Sequence, residues 1–464
     1  MSLPVSSAEP QPAGLDRWLM LMALGYSVFV LYGSLVPLQI RPLDLGNALS
    51  QFSRIPYLSL GTVHRADWVA NILLYIPLAF CWCAAANARS RTGWGIPAFI
   101  LLLCIAFAVL IEFLQLWFPP RTVSQIDLLA EALGSVIGVT VWLTAGRRLI
   151  DLARTISRGG QAGLSAAFTA YCGLYIAYAL MPLDFLVSGQ ELSEKLASDA
   201  ITLTIAAACG GLLRCGLNLT LEAVSFVPFG LFAALLLKRT GAGSPGALAG
   251  FLLGAIAGAV IEGMQILLAS GITQGLSIAT RAVGMMAGII IGRAWSGSWM
   301  TAWLPVARGA VIAGALGYAA LFAAIAWRSG WQADGALLRL GTQSWLPFYY
   351  HYWTTEQAAL ASLLRNAILY APVGIAVWAW RFAGLHGRRT DLPGAPLVFW
   401  LGAVLAVLME TSRLLQPNGH GDPTNILIGA MAAWLAFRLT GWFAACLLSG
   451  SDDASASPPR SFLR

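Results

Sequence analysis

The sequence predicts an all-α, polytopic integral membrane protein, with about twelve transmembrane helices in three four-helix pseudo-repeats. Three observations predict it. Hydrophobic residues make up 58% of the 464 and charged residues 11%, whereas a soluble domain carries about 25% charged residues. Mean hydropathy is +0.72. Apolar runs of about 20 residues, enough for a helix to cross the hydrocarbon core, recur along the whole chain.

In order, the predicted spans are 17–37, 67–86, 96–118, 126–145, 164–182, 219–237, 246–269, 277–294, 304–327, 363–383, 396–415 and 424–447. The stretch from Met1 to Asp16 is polar and Pro-rich, with no basic residue before Arg17. It does not read as a cleaved signal peptide, so the first span is expected to stay. The tail from Ser449 is rich in Ser, Asp and Pro and reads as disordered. A further apolar run, Ile201 to Leu217, is short and carries Arg214. It is expected to lie at the interface or to re-enter.

Charge sets the expected orientation. Of the 28 basic residues, the majority fall in the tails and in loops on the N-terminal side, among them Arg89, Arg91, Arg147, Arg148, Lys238, Arg239, Arg388 and Arg389. Cytoplasmic loops carry the excess of Lys and Arg, so both termini are expected in the cytoplasm of a bacterial inner membrane protein. The loops 39–66, 183–218 and 328–362 then face outward. The net charge of +7 points to anionic headgroups and excludes nucleic acid as the partner. The seven cysteines lie mostly in apolar runs without a CxxC pair and read as small apolar fillers. The four histidines show no helical metal spacing. No metal and no cofactor is expected, and oligomeric state is not readable.

The repeat emerges from aligned segments. The second helix of each copy reads NILLYIPLAF from Asn71, EAVSFVPFGL from Glu222 and NAILYAPVGI from Asn366. A polar residue stands six before Pro77, Pro228 and Pro372. The third helix ends in IEFLQ, IEGMQ and METSR, pairing Glu112 with Gln115, Glu262 with Gln265 and Glu410 with Arg413. Gly134, Gly284 and Gly429 are read as matched positions of the fourth helix. First helices one and two end at Pro37 and Pro182; the third departs there. The domain reading is therefore a tail at 1–16, copies at 17–150, 160–297 and 304–448, and a tail at 449–464.

Copy one is the fullest. Asp67 and Asn71 share a helix face. Pro77 removes a backbone donor and frees a carbonyl near Leu73. Asp127, Glu131, Gly134 and Gly138 form one stripe, carboxylates nearer the mouth and small residues deeper. Asp67, Asn71, Glu112, Gln115, Arg121, Asp127 and Glu131 are the candidate ligand-binding set, an outward polar pocket with one cation among several acids. No catalytic residue is assigned. In copy two, Ser277 and Arg281 replace Asp127 and Glu131, so that Glu222, Glu262 and Arg281 form an internal ion cluster. Copy three keeps Asn366 and Glu410 and adds Arg413, His420, Asp422 and Asn425. An acid at a helix centre costs about 3 kcal/mol, so each of these needs a compensating partner. The outer loop from Trp345 to Trp353 reads as an interfacial aromatic belt.

These residues resemble the VanZ-like family: the Asn-to-Pro helix, the IEFLQ helix end, Arg121, and the stripe of Asp127, Glu131, Gly134 and Gly138. Asn is usual where Glu131 stands. The resemblance is clearest over 20–145, weaker over 164–294 and partial over 310–440. It implies a bacterial multi-pass membrane protein of the cell envelope, in a family whose founding member is associated with resistance to the lipoglycopeptide teicoplanin. It implies no reaction. The leading expectation is a protein that binds a lipid headgroup, a lipid-linked glycan or a lipoglycopeptide antibiotic. An enzyme acting on an envelope lipid and a secondary transporter stay open as alternatives.

Overall fold

The computed structural model describes residues 15–57, 62–87, 94–198, 201–202, 212–239, 246–294, 304–327, 330–331, 334–354, 356–385, 387, 390–417 and 419–448. The C-terminal tail, nearly all of the N-terminal tail, the loop charges Arg89, Arg91, Arg388 and Arg389, and the side chains of Arg214, Lys238 and Arg239 lie outside the described residues. Twelve of the described helices are long and apolar enough to cross a membrane. In lipid every backbone polar group must be satisfied within the protein, which leaves the helix as the solution for such runs. The chain divides into two compact units, Met1–Ile150 and Asp151–Arg464.

The first unit holds α1 (Leu15–Leu35), α2 (Leu45–Phe52), α3 (Thr62–Asn87), α4 (Gly95–Gln115) and α5, a helix that runs Gln125–Arg158, well past the predicted limit of 145. Ile100, Cys104, Ala108 and Ile111 lie on one face of α4 and pack on Tyr75, Leu78, Ala79 and Cys83 of α3. Leu102, Leu103, Val109 and Leu110 on its other faces are exposed, as residues facing lipid must be. Pro77 stands inside α3. The Tyr26 hydroxyl of α1 donates to the Leu74 carbonyl at 3.1 Å, one residue beyond the predicted Leu73.

The second unit begins with α6 (Gly160–Ala179), α7 (Gly189–Leu196), β1 (Ile201–Thr202), α8 (Leu212–Arg239), α9 (Ala247–Ile266), β2 (Thr273–Gln274) and α10 (Gly275–Ala294). It continues with α11 (Leu304–Trp327), α12 (Ala336–Thr342), α13 (Tyr349–Tyr352), α14 (Glu356–Gly384), α15 (Ala395–Leu414) and α16 (Pro423–Leu448). The same contact recurs three residues before Pro228 of α8: the Tyr171 hydroxyl of α6 donates to the Ser225 carbonyl at 2.6 Å. Removing such a donor gives up an interhelical hydrogen bond in an apolar surround. Tyr26→Phe and Tyr171→Phe are each expected to lower stability by about 0.6–2 kcal/mol, measured as unfolding of the detergent-purified protein. No loss in either variant contradicts the assignment.

The run from Ile201 to Leu217 resolves differently from its prediction. Ile201 and Thr202 pair in parallel with Thr273 and Gln274, and Phe185 and Leu268 form an isolated antiparallel bridge; the regular elements are otherwise helical among the described residues. Leu212 to Leu217 form the first turns of α8. Residues 203–211 lie outside the described residues. Cys81, Cys83, Cys104, Cys172 and Cys446 are free thiols, as fillers would be, whereas Cys215 is disulfide-bonded.

Close helix contacts rest on small residues. A Cβ at Gly134 or Gly138 of α5 would run into the Ile72 or Ile76 carbonyl of α3, and one at Gly284 or Gly288 of α10 into the Ala223 or Val227 carbonyl of α8. In α16 the register differs from prediction. Gly402 of α15 faces the Gly429 carbonyl as Gly254 of α9 faces that of Arg281. Gly429 therefore makes the contact that Arg281 makes, and not that of Gly284.

Three four-helix sets share further local geometry. Each first helix ends in a tight turn: Leu38 N–H to Leu35, Leu183 N–H to Leu180, Gly330 N–H to Trp327. Leu38, Leu183 and Gly330 all have positive φ. Glycine reaches that conformation without steric cost, which lets the third set close the same turn without a proline.

Candidate functional site

In the first unit, the segment between α1 and α3 arches over the ends of α4 and α5. Arg41 Nε donates to the Leu116 carbonyl at 3.1 Å, and the Trp117 indole donates to the Leu43 carbonyl at 2.9 Å. On the other side Gln125 takes hold of the arch, its backbone N–H on Pro56 and its amide on Ile55. Within the arch, Asp44 caps α2 by accepting from the Asn47 backbone N–H at 3.0 Å. The Asn47 backbone and side-chain N–H groups hold its carboxyl below the usual range. Ile40, Leu45, Leu49 and Tyr57 stay exposed, an apolar fringe suited to an interface.

Between the arch and the 115–123 turn lies a cavity of about 460 Å³. Arg41, Arg54, Arg121, Ser50, Gln51 and Gln115 supply its polar lining, and among the described residues no acidic one lines it. Arg41 also donates to Gln51 Oε1 at 3.2 Å, and Arg121 donates to the Gly33 carbonyl. The Arg54 backbone N–H donates to the Gln51 carbonyl at 3.0 Å, and among the described residues its guanidinium is committed to no hydrogen bond or ion pair.

The structure sorts the predicted set into three places. Gln115 and Arg121 line the mouth cavity, and Gln115 ties to the Ser34 carbonyl at 2.9 Å. Asn71 donates to Asp127 Oδ1 at 2.9 Å, and Ser124, at the start of α5, donates to Asp127 Oδ2 at 2.5 Å. Glu112 and Glu131 are 2% and 3% exposed beneath them. Asp67 is exposed on α3 and joins none of these groups. The acids thus sit under a basic mouth and do not line it.

The second set has a different centre. Arg281 Nη1 lies 2.5 Å from Glu262 Oε1, and Nη2 lies 4.0 Å from Glu222 Oε1. Thr280 also donates to Glu222, at 3.1 Å. In the third set Arg413 meets Glu410 at 2.6 Å. Asn366 donates to Asn425 Oδ1 at 2.8 Å, and Asn425 donates to Glu410 at 3.1 Å. His420 lies against the Tyr350 ring, and His351 Nδ1 is 3.6 Å from Asp422 Oδ2. A largely apolar cavity of about 400 Å³ opens beside Glu410 and Asp422. Trp345 and Trp353 of the aromatic loop are exposed.

One arrangement recurs. The glutamate near the end of the third helix faces the backbone N–H twelve residues on. Glu262 takes Gln274 N–H at 2.7 Å and Glu410 takes Asp422 N–H at 2.8 Å, both at a separation of 12, while Glu112 faces Ser124 N–H. A cation from the preceding loop caps the same helix end: Arg41 on Leu116, Lys195 on Gln265 and Leu268, Arg339 on Leu414. Carbonyls at a helix C-terminus lack intrahelical donors and carry partial negative charge, so a cation serves both needs. The glutamine tie recurs as Gln265 on Ala179 and Gln416 on Ala326. Arg413 fills the position of Gln115 and Gln265, and Gln416, one turn later, takes over the tie.

The sequence reading missed Arg41, Gln51, Arg54, Tyr75 and His351. Arg41 and Arg339 both stand 75 residues before their acceptors, a signal the sequence did carry. Among the described residues no group of three or more His, Cys, Asp or Glu side chains is placed to hold a metal ion.

No curated protein and no solved structure matches the chain. Residues 18–146, the helices of the first unit with their arch and turn, match the family model described as VanZ/LLP1, and the chain is therefore a membrane protein that carries a VanZ-like domain.

Proposed function

We propose that this protein sits in a bacterial cytoplasmic membrane and binds the anionic headgroup of an envelope lipid at the mouth of its VanZ-like domain. One observation carries the reading: a cavity of about 460 Å³ whose charged lining is Arg41, Arg54 and Arg121. Guanidinium groups match phosphate and carboxylate in geometry and charge. The exposed Ile40, Leu45 and Leu49 beside it supply a surface for acyl chains. A lipid-linked glycan or a lipoglycopeptide antibiotic presents the same combination of anion and apolar tail.

The mouth faces the exterior, with both termini in the cytoplasm. The distribution of Lys and Arg supports this. So does the disulfide at Cys215, in a segment that this topology places outside, where such bonds persist. The chain is read as three VanZ-like units, 17–150, 160–297 and 304–448. The twelve-residue carboxylate-to-amide contact, the cation on the third helix end and the glutamine tie support the repeat.

The test is binding of the purified full-length protein to vesicles of phosphatidylglycerol and of phosphatidylcholine, with inorganic pyrophosphate as competitor. A charge-assisted contact contributes about 1.5–3 kcal/mol. Arg54→Glu, which breaks no side-chain hydrogen bond or ion pair within the described residues, is expected to weaken phosphatidylglycerol binding by at least about tenfold. Equal binding to both lipids, or full binding by Arg54→Glu, overturns the proposal.

A further inference from the structure

Beneath the mouth, three side chains from three helices meet: Tyr75 of α3, Glu112 of α4 and Glu131 of α5. They are 0%, 2% and 3% exposed. Among the described residues Oε2 of Glu112, Oε2 of Glu131 and the Tyr75 hydroxyl have no hydrogen-bond partner. The Tyr75 hydroxyl is turned toward Glu131 without closing a bond, and the charges of the two glutamates act on each other. No basic side chain among the described residues forms an ion pair with either one. Two buried acids with open oxygens and no ion-pair partner among the described residues are a costly arrangement.

The other two sets indicate what such a position holds. Arg281 stands in the second set where Glu131 stands in the first, and its guanidinium lies on Glu262, the counterpart of Glu112. Phe226 stands where Tyr75 stands and offers no oxygen. In the third set Gly429 replaces the second acid, and Arg413 meets Glu410. In both of these sets the chain supplies the cation.

We propose that Glu112, Glu131 and Tyr75 form a binding site for one univalent cation, seated where Arg281 places its guanidinium in the second set. The carboxyl groups supply the charge and the Tyr75 oxygen a neutral ligand. A proton or an alkali-metal ion meets this chemistry. The other groups around the site are Asp127 on α5, Arg121 in the turn after α4, and Cys104 on α4 beside Tyr75. Asp127 is engaged by Asn71 and Ser124. The site does not depend on any ligand at the mouth.

The experiment uses the full chain in detergent, with thermal unfolding followed in NaCl, KCl, LiCl or choline chloride at constant ionic strength, in mildly acidic and in alkaline buffer. If the cation is a proton, the choline sample loses stability on going to alkaline buffer. A protonated-carboxyl infrared band then disappears in Glu131→Gln. If it is an alkali ion, that ion and not choline restores the alkaline midpoint. Glu131→Gln is expected to lose both responses. Glu131→Arg is expected to raise the midpoint and lose both responses, as the second set's own arrangement dictates. Tyr75→Phe keeps the charge pair and is expected to raise the ion concentration at half effect by about tenfold, which keeps the test decisive if a Glu131 variant does not fold. A wild-type midpoint insensitive to buffer and ion, an unaltered response in Glu131→Gln, or a lowered midpoint in Glu131→Arg overturns the proposal.

Discussion

Arg281→Ala is expected to destabilise the second unit by about 3–5 kcal/mol. The guanidinium is 4% exposed and lies 2.5 Å from a Glu262 carboxylate that is equally buried. Taking away one partner leaves the other charged, dry and, among the described residues, answered by the Gln274 N–H alone. The measurement is the unfolding midpoint of the detergent-purified protein, which should fall by on the order of 10 °C. A double variant, Arg281→Met with Glu262→Gln, removes both charges and should recover much of the loss, because a buried pair is weakly stabilising relative to an apolar replacement. If Arg281→Ala melts with the wild type, the ion cluster is not a structural element.

The second large effect lies in backbone contact. A Cβ at Gly288 would overlap the Val227 carbonyl, the Leu231 N–H and Gly230. These are main-chain atoms of α8 that cannot step aside, so α10 must move off its neighbour. Gly288→Leu is expected to cost more than the 1–3 kcal/mol typical of overpacking and to prevent recovery of folded protein. Gly263→Leu is the matched control: its Cβ would meet nothing within 4 Å, and it exchanges glycine for a better helix former worth up to about 1 kcal/mol. Equal yields of the two variants would mean that α8 and α10 do not pack as described.

Much of this architecture was legible because the bilayer imposes one rule everywhere. Apolar run length located all twelve spans, and polar residues within such runs stood out by their cost. The pairing of Asn71 with Asp127 joins residues 56 apart, yet each was identifiable from its own helix. Three things were not legible. The length of α5 exceeds its span because the basic stretch after 145 continues the helix, and hydropathy does not register a helix that leaves the membrane. The register of Gly429 was misread because glycines serve both helix contacts and open positions, and only their neighbours tell the two apart. The basic mouth was hidden because Arg41 and Arg54 belong to an arch far from Arg121 in sequence. Arginines in a loop look like topology signals until the fold gathers them around one cavity.

The twelve-residue interval between a buried glutamate and the amide that serves it acts as a gauge of loop length. The amide belongs to the residue at which the next helix starts or just before it, so the contact fixes the angular phase of that helix. Inserting or deleting one residue in 116–123, 269–272 or 415–421 would rotate every following position by about 100°. Asp127, Arg281 or Asn425 would then face lipid. These turns are held to a fixed length, and Gly271 and Gly419, where a Cβ would run into the Gln265 or Arg413 carbonyl, are fixed in identity as well; evolutionary drift in this protein is expected to spare their count.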